Sequence, residues 1–231
     1  MAKYEIAEAI TGLNEGLYAN NKADRGGETY AGIARNFWPK WAGWAIIDQI
    51  KNAYGEQSSV INRYAKSNAS LHKLISDFYK DNFWDTLNLD DFRDQQIANS
   101  VYDFGVNSGT SRAAKFIQEV AGVAADGKIG AKSLSAINGG NARLLHGSFN
   151  SAREMFYRSI AKGNQAQFLR SWLSRLTPYN ELKMIQYKLG LSPDGVYGPA
   201  TKSAITNFQK SNGLIPDGIP GDKTSAALYR I

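Results

Sequence analysis

Apolar positions in the first three quarters of the chain recur at helical spacing. In residues 4–14 they fall at Ile6, Ala9, Ile10 and Leu13, which predicts an opening helix with one apolar stripe. A glycine- and asparagine-rich stretch from Gly16 to Gly32 follows and predicts a small hairpin or an irregular loop with tight turns. Phe37, Trp38, Trp41 and Trp44 then cluster. The tryptophans are three apart, a spacing that fits a core stripe or a sugar-binding face. Helical patterns occupy roughly 42–54, 58–82, 90–106, 110–121, 142–161 and 164–176, with Asp90 or Asp91 and Thr110 suited to N-cap positions.

The pattern changes near Thr177-Pro178, where short helices begin to alternate with Gly/Pro/Asp turns. An internal repeat appears here. PDGVYGPATKSAI starts at Pro193 and PDGIPGDKTSAAL at Pro216, so Asp194/Asp217, Gly195/Gly218, Gly198/Gly221, Thr201/Thr224 and Ala204/Ala227 lie 23 residues apart. A weaker copy, ADGKIGAKSLSAI, begins at Ala125 and holds Asp126, Gly127, Gly130, Ser133 and Ala136 at the same internal spacing. Asp-Gly makes a tight turn, and Ser or Thr after the second Gly suits the start of a helix. The repeat therefore encodes a turn that feeds a helix.

Composition narrows the chemistry. The 231 residues, 43% hydrophobic, suffice for one sizeable core and a small second one. A formal net charge of +6 suggests an anionic partner, but the Lys and Arg residues are spread along the chain and form no nucleic-acid-binding block. With no Cys and only His72 and His146, disulfides are excluded, and neither a zinc site nor any other metal or cofactor is expected. The opening MAKYEIAEAITGLNEG lacks the apolar core of a signal peptide, and no stretch approaches the length of a bilayer span. The expectation is a monomer made in a host cytoplasm without a signal peptide and with no stable membrane insertion.

Two segments carry a family resemblance. NEGLYANNKADRGGETYAGIA resembles the glycoside hydrolase 108 family of lysozyme-like muramidases, common in phages and prophages, with Leu17 where a second Gly is usual and Arg25 where Pro is common. VYDFGVNSGTSRAAKFIQEVAGVAADGKIGAKSLSAI resembles that family's second half, and residues from about 181 to 231 resemble the type-one peptidoglycan-binding domain. The resemblance implies a mainly α protein. It would comprise a lysozyme-like catalytic domain over 1–177 (1–88 the catalytic segment, 89–177 the helical second half) with a small early β-hairpin, and a three-helix peptidoglycan-binding module over 178–231. It also implies an endolysin-type setting, in which the protein reaches the wall after release by another factor.

Glycosidic cleavage needs an acid that still holds its proton near neutral pH, and support for the charge at the anomeric carbon. The resemblance assigns the acid to Glu15, which would otherwise be a solvated residue at a helix end. Asp24 and Thr29 would hold and orient a water, or else cap the turn before Gly26-Gly27 and satisfy backbone groups; Glu28 is a rival carboxylate. Tyr18, Tyr30, Tyr102, Asp103 and Asn107 are candidates to line a sugar groove. Asp194, Tyr197, Thr201, Asp217 and Thr224 are candidates to meet the wall, against a plain turn-and-cap role for the Asp and Thr residues. The activity expected is hydrolysis between N-acetylmuramic acid and N-acetylglucosamine. A lytic transglycosylase and a non-catalytic wall-binding or virion structural protein remain open.

Overall fold

The computed structural model describes residues 1–11, 17–20 and 26–228. The fold is mainly helical, with one small early sheet. Helix α1 (Tyr4–Thr11) is followed by strands β1 (Ala19–Asn20), β2 (Glu28–Tyr30) and β3 (Ile33–Ala34). They pair antiparallel in the order β1-β2-β3, with Ala19 opposite Thr29 and Tyr30 opposite Ile33. The expected hairpin is therefore a three-stranded meander with Thr29 on its central strand. Helices α2 (Gly43–Tyr54), α3 (Ser58–Ala65), α4 (Ala69–Tyr79), α5 (Gln95–Ser108), α6 (Thr110–Val120), α7 (Ala131–Gly139) and α8 (Ala142–Ile160) follow.

Several boundaries differ from the pattern-based ones, each for a local reason. The predicted helix over 58–82 breaks at Lys66–Asn68, because the Asn68 side chain accepts from Leu71 N at 2.9 Å and starts α4 afresh. Helix α5 begins at Gln95, capped by Asp94, which accepts from Gln96 N and Ile97 N at 2.9 Å. Asp90 instead accepts from Trp84 Nε1 at 2.7 Å, and Thr110 is the first residue of α6 rather than its cap. In α1 the buried residues are Tyr4 and Ala7, whereas Ala9 and Ile10 are exposed.

The chain divides into two compact units, Met1–Phe156 and Tyr157–Ile231. The first unit is organised around α5. Its Tyr102 is fully buried and meets Tyr4 of α1 and Trp84 edge-on, both at 5.8 Å between ring centroids. Two residues on, on another face of the helix, Phe104 packs against Phe116 of α6 at 5.2 Å and Phe149 of α8 at 5.9 Å. Arg153 of α8, 0% exposed, pairs with Asp103 and lies over the Phe104 ring, so its charge is neutralised where it is buried. The second unit holds a short α9 (Leu169–Leu173) and then α10 (Glu181–Lys188), α11 (Pro199–Ser211) and α12 (Asp222–Leu228), which enclose Ile185, Ile205 and Leu228.

Candidate active site

The early sheet is held by charge. Glu28 of β2 sits with its side chain only 10% exposed. Arg35 Nε lies 2.9 Å from one of its oxygens and Lys51 Nζ of α2 lies 3.0 Å from the other. The Tyr18 hydroxyl also donates to Glu28, at 2.7 Å. Arg35 forks onto Asp48 of α2 at 2.7 and 3.2 Å and lies over the Trp44 ring at 4.5 Å. Two acids and two bases thus close a network that ties the sheet to α2. Burial, and then the bond to Glu28, push the Tyr18 phenol pKa well up, so it stays a neutral donor.

The turn between β2 and β3 is docked on α4. Tyr79 donates to Ala31 O at 2.8 Å, and a Cβ on Gly32 would stand 2.6 Å from the Tyr79 hydroxyl oxygen. Gly32 has φ +77, so this position demands glycine on both counts. Burial pushes the Tyr79 phenol pKa up to about 12 and that of Tyr30 upward as well.

The candidate catalytic residues Glu15 and Asp24 lie outside the described residues. Thr29 is half-buried in the central strand, its hydroxyl 3.4 Å from Gly27 O. Tyr18 and Tyr30 are near it in the sheet but only 5% and 6% exposed, which makes them supports of the strands more than open sugar faces. Tyr102 belongs to the α5 core, and Asp103 holds Arg153. Asn107 is exposed at the end of α5, its side-chain nitrogen donating to Asp103 O at 2.7 Å. Of the spaced tryptophans, Trp44 is buried, Trp41 is partly covered and donates to Leu74 O at 3.2 Å, and Trp38 keeps 40% exposure.

The repeated motif has a partner that the sequence pattern did not single out. In α10, Gln186 is buried and its Nε2 donates to Asp194 Oδ1 at 2.6 Å, Val196 O at 3.0 Å and Thr201 Oγ1 at 3.0 Å. Its Oε1 accepts from Gly195 N at 2.8 Å. Gln209 makes the same set to Asp217, Ile219 O, Thr224 and Gly218 N, and Gln118 makes it to Asp126, Lys128 O, Ser133 and Gly127 N. In all three copies the Gln precedes the Asp by eight residues and the Ser or Thr by fifteen. That constant offset is the signal that could have revealed it. Backbone N–H bonds first, then the Gln amide, hold the Asp194 and Asp217 carboxyls below their usual range. Thr201 and Thr224 are therefore buried within the loops, whereas Asp194 and Asp217 are exposed while bonded to the Gln through Oδ1. Tyr197 is 46% exposed, with its hydroxyl donating to Gly218 O.

Among the described residues no group of His, Asp and Glu is placed to hold a metal ion, and no helix is long and apolar enough to cross a membrane. Residues 9–109 match the family model described as Glycosyl hydrolase 108, residues 112–177 the Predicted Peptidoglycan domain, and residues 162–228 the Putative peptidoglycan binding domain. Together these define a glycoside hydrolase equipped to bind peptidoglycan, and so support a peptidoglycan hydrolase. Residues 9–109 are thus similar to the glycosyl hydrolase 108 family. A solved structure, that of Brucella abortus SagA, is 27% identical with a TM-score of 0.52, over 76% of this chain and 91% of that one. No curated protein matches the chain.

Proposed function

We propose that the protein is an N-acetylmuramidase of the endolysin type, with Glu15 as the general acid that protonates the bridging oxygen between N-acetylmuramic acid and N-acetylglucosamine. The observation that carries this is the state of the rival carboxylate. Glu28 has Tyr18, Arg35 and Lys51 on its two oxygens, so both oxygens are already committed to the network that ties the sheet to α2. Within the NEGLY…GGET stretch, this leaves Glu15 for the acid and Asp24 for the water, with Thr29 orienting that water from the central strand. The match over residues 9–109 includes all three positions.

The test is clearing of purified wall sacculi by the wild type and by Glu15→Gln, with mass spectrometry of the released fragments. The substitution lowers kcat by roughly 10²–10⁴-fold if Glu15 is the acid. Reducing muramic acid ends mark hydrolysis, anhydro ends mark a transglycosylase, and equal clearing by both proteins removes the assignment. Wall attachment by the C-terminal module rests on its exposed loop side chains, Tyr197 first, with Asp194 and Asp217 beside it and the buried Thr201 and Thr224 held by Gln186 and Gln209. Such a module raises the local concentration of substrate without adding contacts at the cut bond.

A further inference from the structure

Two tyrosines of the N-terminal unit form a flat surface that the fold does not need to expose. Tyr54 closes α2 and Tyr64 lies near the end of α3; their rings stack with centroids 3.8 Å apart and planes 10° apart. They remain 54% and 38% exposed. Aromatic area of this size is ordinarily covered when it serves only to pack two helices.

The stack adjoins the early sheet. Tyr54 lies one helical turn beyond Lys51, whose ammonium reaches Glu28 of the central strand. On α3, the Asn62 side chain accepts from Tyr18 N at 2.7 Å. Glu56, between the two helices, is close enough to act on the Tyr18 phenol. Both helices fall within the segment matched to the glycosyl hydrolase family.

We propose that the outer face of the Tyr54–Tyr64 stack is a glycan platform, taking one pyranose ring of the substrate strand at a position remote from the bond that is cut. One face of a pyranose is a patch of C–H groups that lies flat on an aromatic ring, while its hydroxyl and N-acetyl groups point outward, within reach of the phenol hydroxyls. A stem peptide, with its carboxylates, would be met by cations rather than by ring faces, so the stacked rings themselves call for the sugar. The inference rests on the muramidase reading for the identity of the polymer alone.

The test uses the full chain carrying Glu15→Gln, titrated with short and long peptide-free glycan fragments by calorimetry. Adding Tyr54→Ala and Tyr64→Ala weakens binding of the long fragments about tenfold and leaves the shortest unaffected. The corresponding Phe pair, which keeps the ring faces, restores binding. In the active protein the Ala pair raises KM on long fragments without lowering kcat, the signature of lost uniform binding. If the double substitution disturbs the far-UV circular dichroism, Tyr64→Ala alone reads the same effect at smaller size. Equal affinity of the Ala pair and its parent for long fragments overturns the platform and leaves the muramidase reading standing. Failure of the wild-type chain to bind or cut any glycan overturns the muramidase reading first, and the platform with it.

Discussion

In the C-terminal turns the polar side chains find their partners close by in the chain, with Gln186 bonded to Asp194 eight residues on and to Thr201 fifteen residues on. Around the early sheet the separations are irregular and extend further. Arg35 reaches Asp48 across 13 residues, Lys51 reaches Glu28 across 23, and Tyr18 reaches Asn62 across 44. A lock closed within one loop can be copied, and this chain carries it three times with the same atoms in contact. A network closed across the tertiary fold has no fixed spacing and exists once. Aspartate thus serves either as punctuation of a turn, at Asp194 and Asp217, or as a tie between distant segments, at Asp48.

The largest expected effect breaks the local lock. Gln209→Leu keeps the volume but removes three donated bonds and the acceptor for Gly218 N. Each buried group left unpaired costs about 1–3 kcal/mol, so the loss should reach roughly 4 kcal/mol. Calorimetry should then show no separate cooperative transition for residues 157–231. An unaltered transition would mean that the apolar cluster of Ile185, Ile205 and Leu228 suffices alone.

A non-local tie supplies the next effect, and it depends on pH. His146 of α8 is buried, with Nε2 2.8 Å from the Ser100 hydroxyl. Burial, and then the nearby Arg153 charge, lower its pKa from 6.5 to about 4. Unfolded chains take up a proton below pH 6.5, while the folded chain resists until about 4. Stability is therefore full above the upper value and falls as pH drops through this window, by about 3 kcal/mol in all. Urea midpoints measured across the window should show this slope in the wild type and lose it in His146→Gln. A slope that persists in the variant would place the acid sensitivity elsewhere.

These contrasts explain what was legible in the sequence. The helical pattern and the repeat were, because both are local: apolar spacing marks a helix face, and Asp-Gly with a later Ser or Thr marks a turn. The break at Asn68 escaped notice because apolar periodicity runs on through a cap that one side chain creates. Glu28 was visible only as a rival acid, since nothing in GGETY indicates that Arg35 and Lys51 converge on it. Tyr102 and Asp103 looked like groove residues beside Asn107, but helical geometry turns Tyr102 into the core and Asp103 toward a buried arginine. Glu15 and Asp24 stand on the sequence motif, with Thr29 on a described strand between α1 and α2.

Glu28→Gln sharpens the comparison from the other side. It leaves Arg35 and Lys51 with Asp48 as their shared anion, at a site where the Glu28 side chain is mostly buried. Breaking one arm of a fully buried pair costs about 3–5 kcal/mol; with Asp48 and solvent sharing the load, about 2 kcal/mol is expected here. A double-mutant cycle with Lys51→Met should return a clear coupling energy, whereas additive losses would show that the network contributes packing alone.

The smallest effect concerns Ala31, which stands at φ 50 beside Gly32 in the turn between β2 and β3. A left-handed alanine costs about 1–2 kcal/mol, which Ala31→Gly would relieve. Against this, glycine adds roughly 0.4–1 kcal/mol of unfolded-state entropy. Its missing methyl, buried here at 3% exposure, forfeits about 0.8 kcal/mol of burial. The three terms nearly cancel, so the variant should unfold within about 0.5 kcal/mol of the wild type in a urea titration. Its neighbour admits no such balance, because Gly32→Ala meets both a positive φ and the Tyr79 hydroxyl. A marked gain from Ala31→Gly would mean that the backbone strain outweighs the packing of the turn against α4, and a marked loss the reverse.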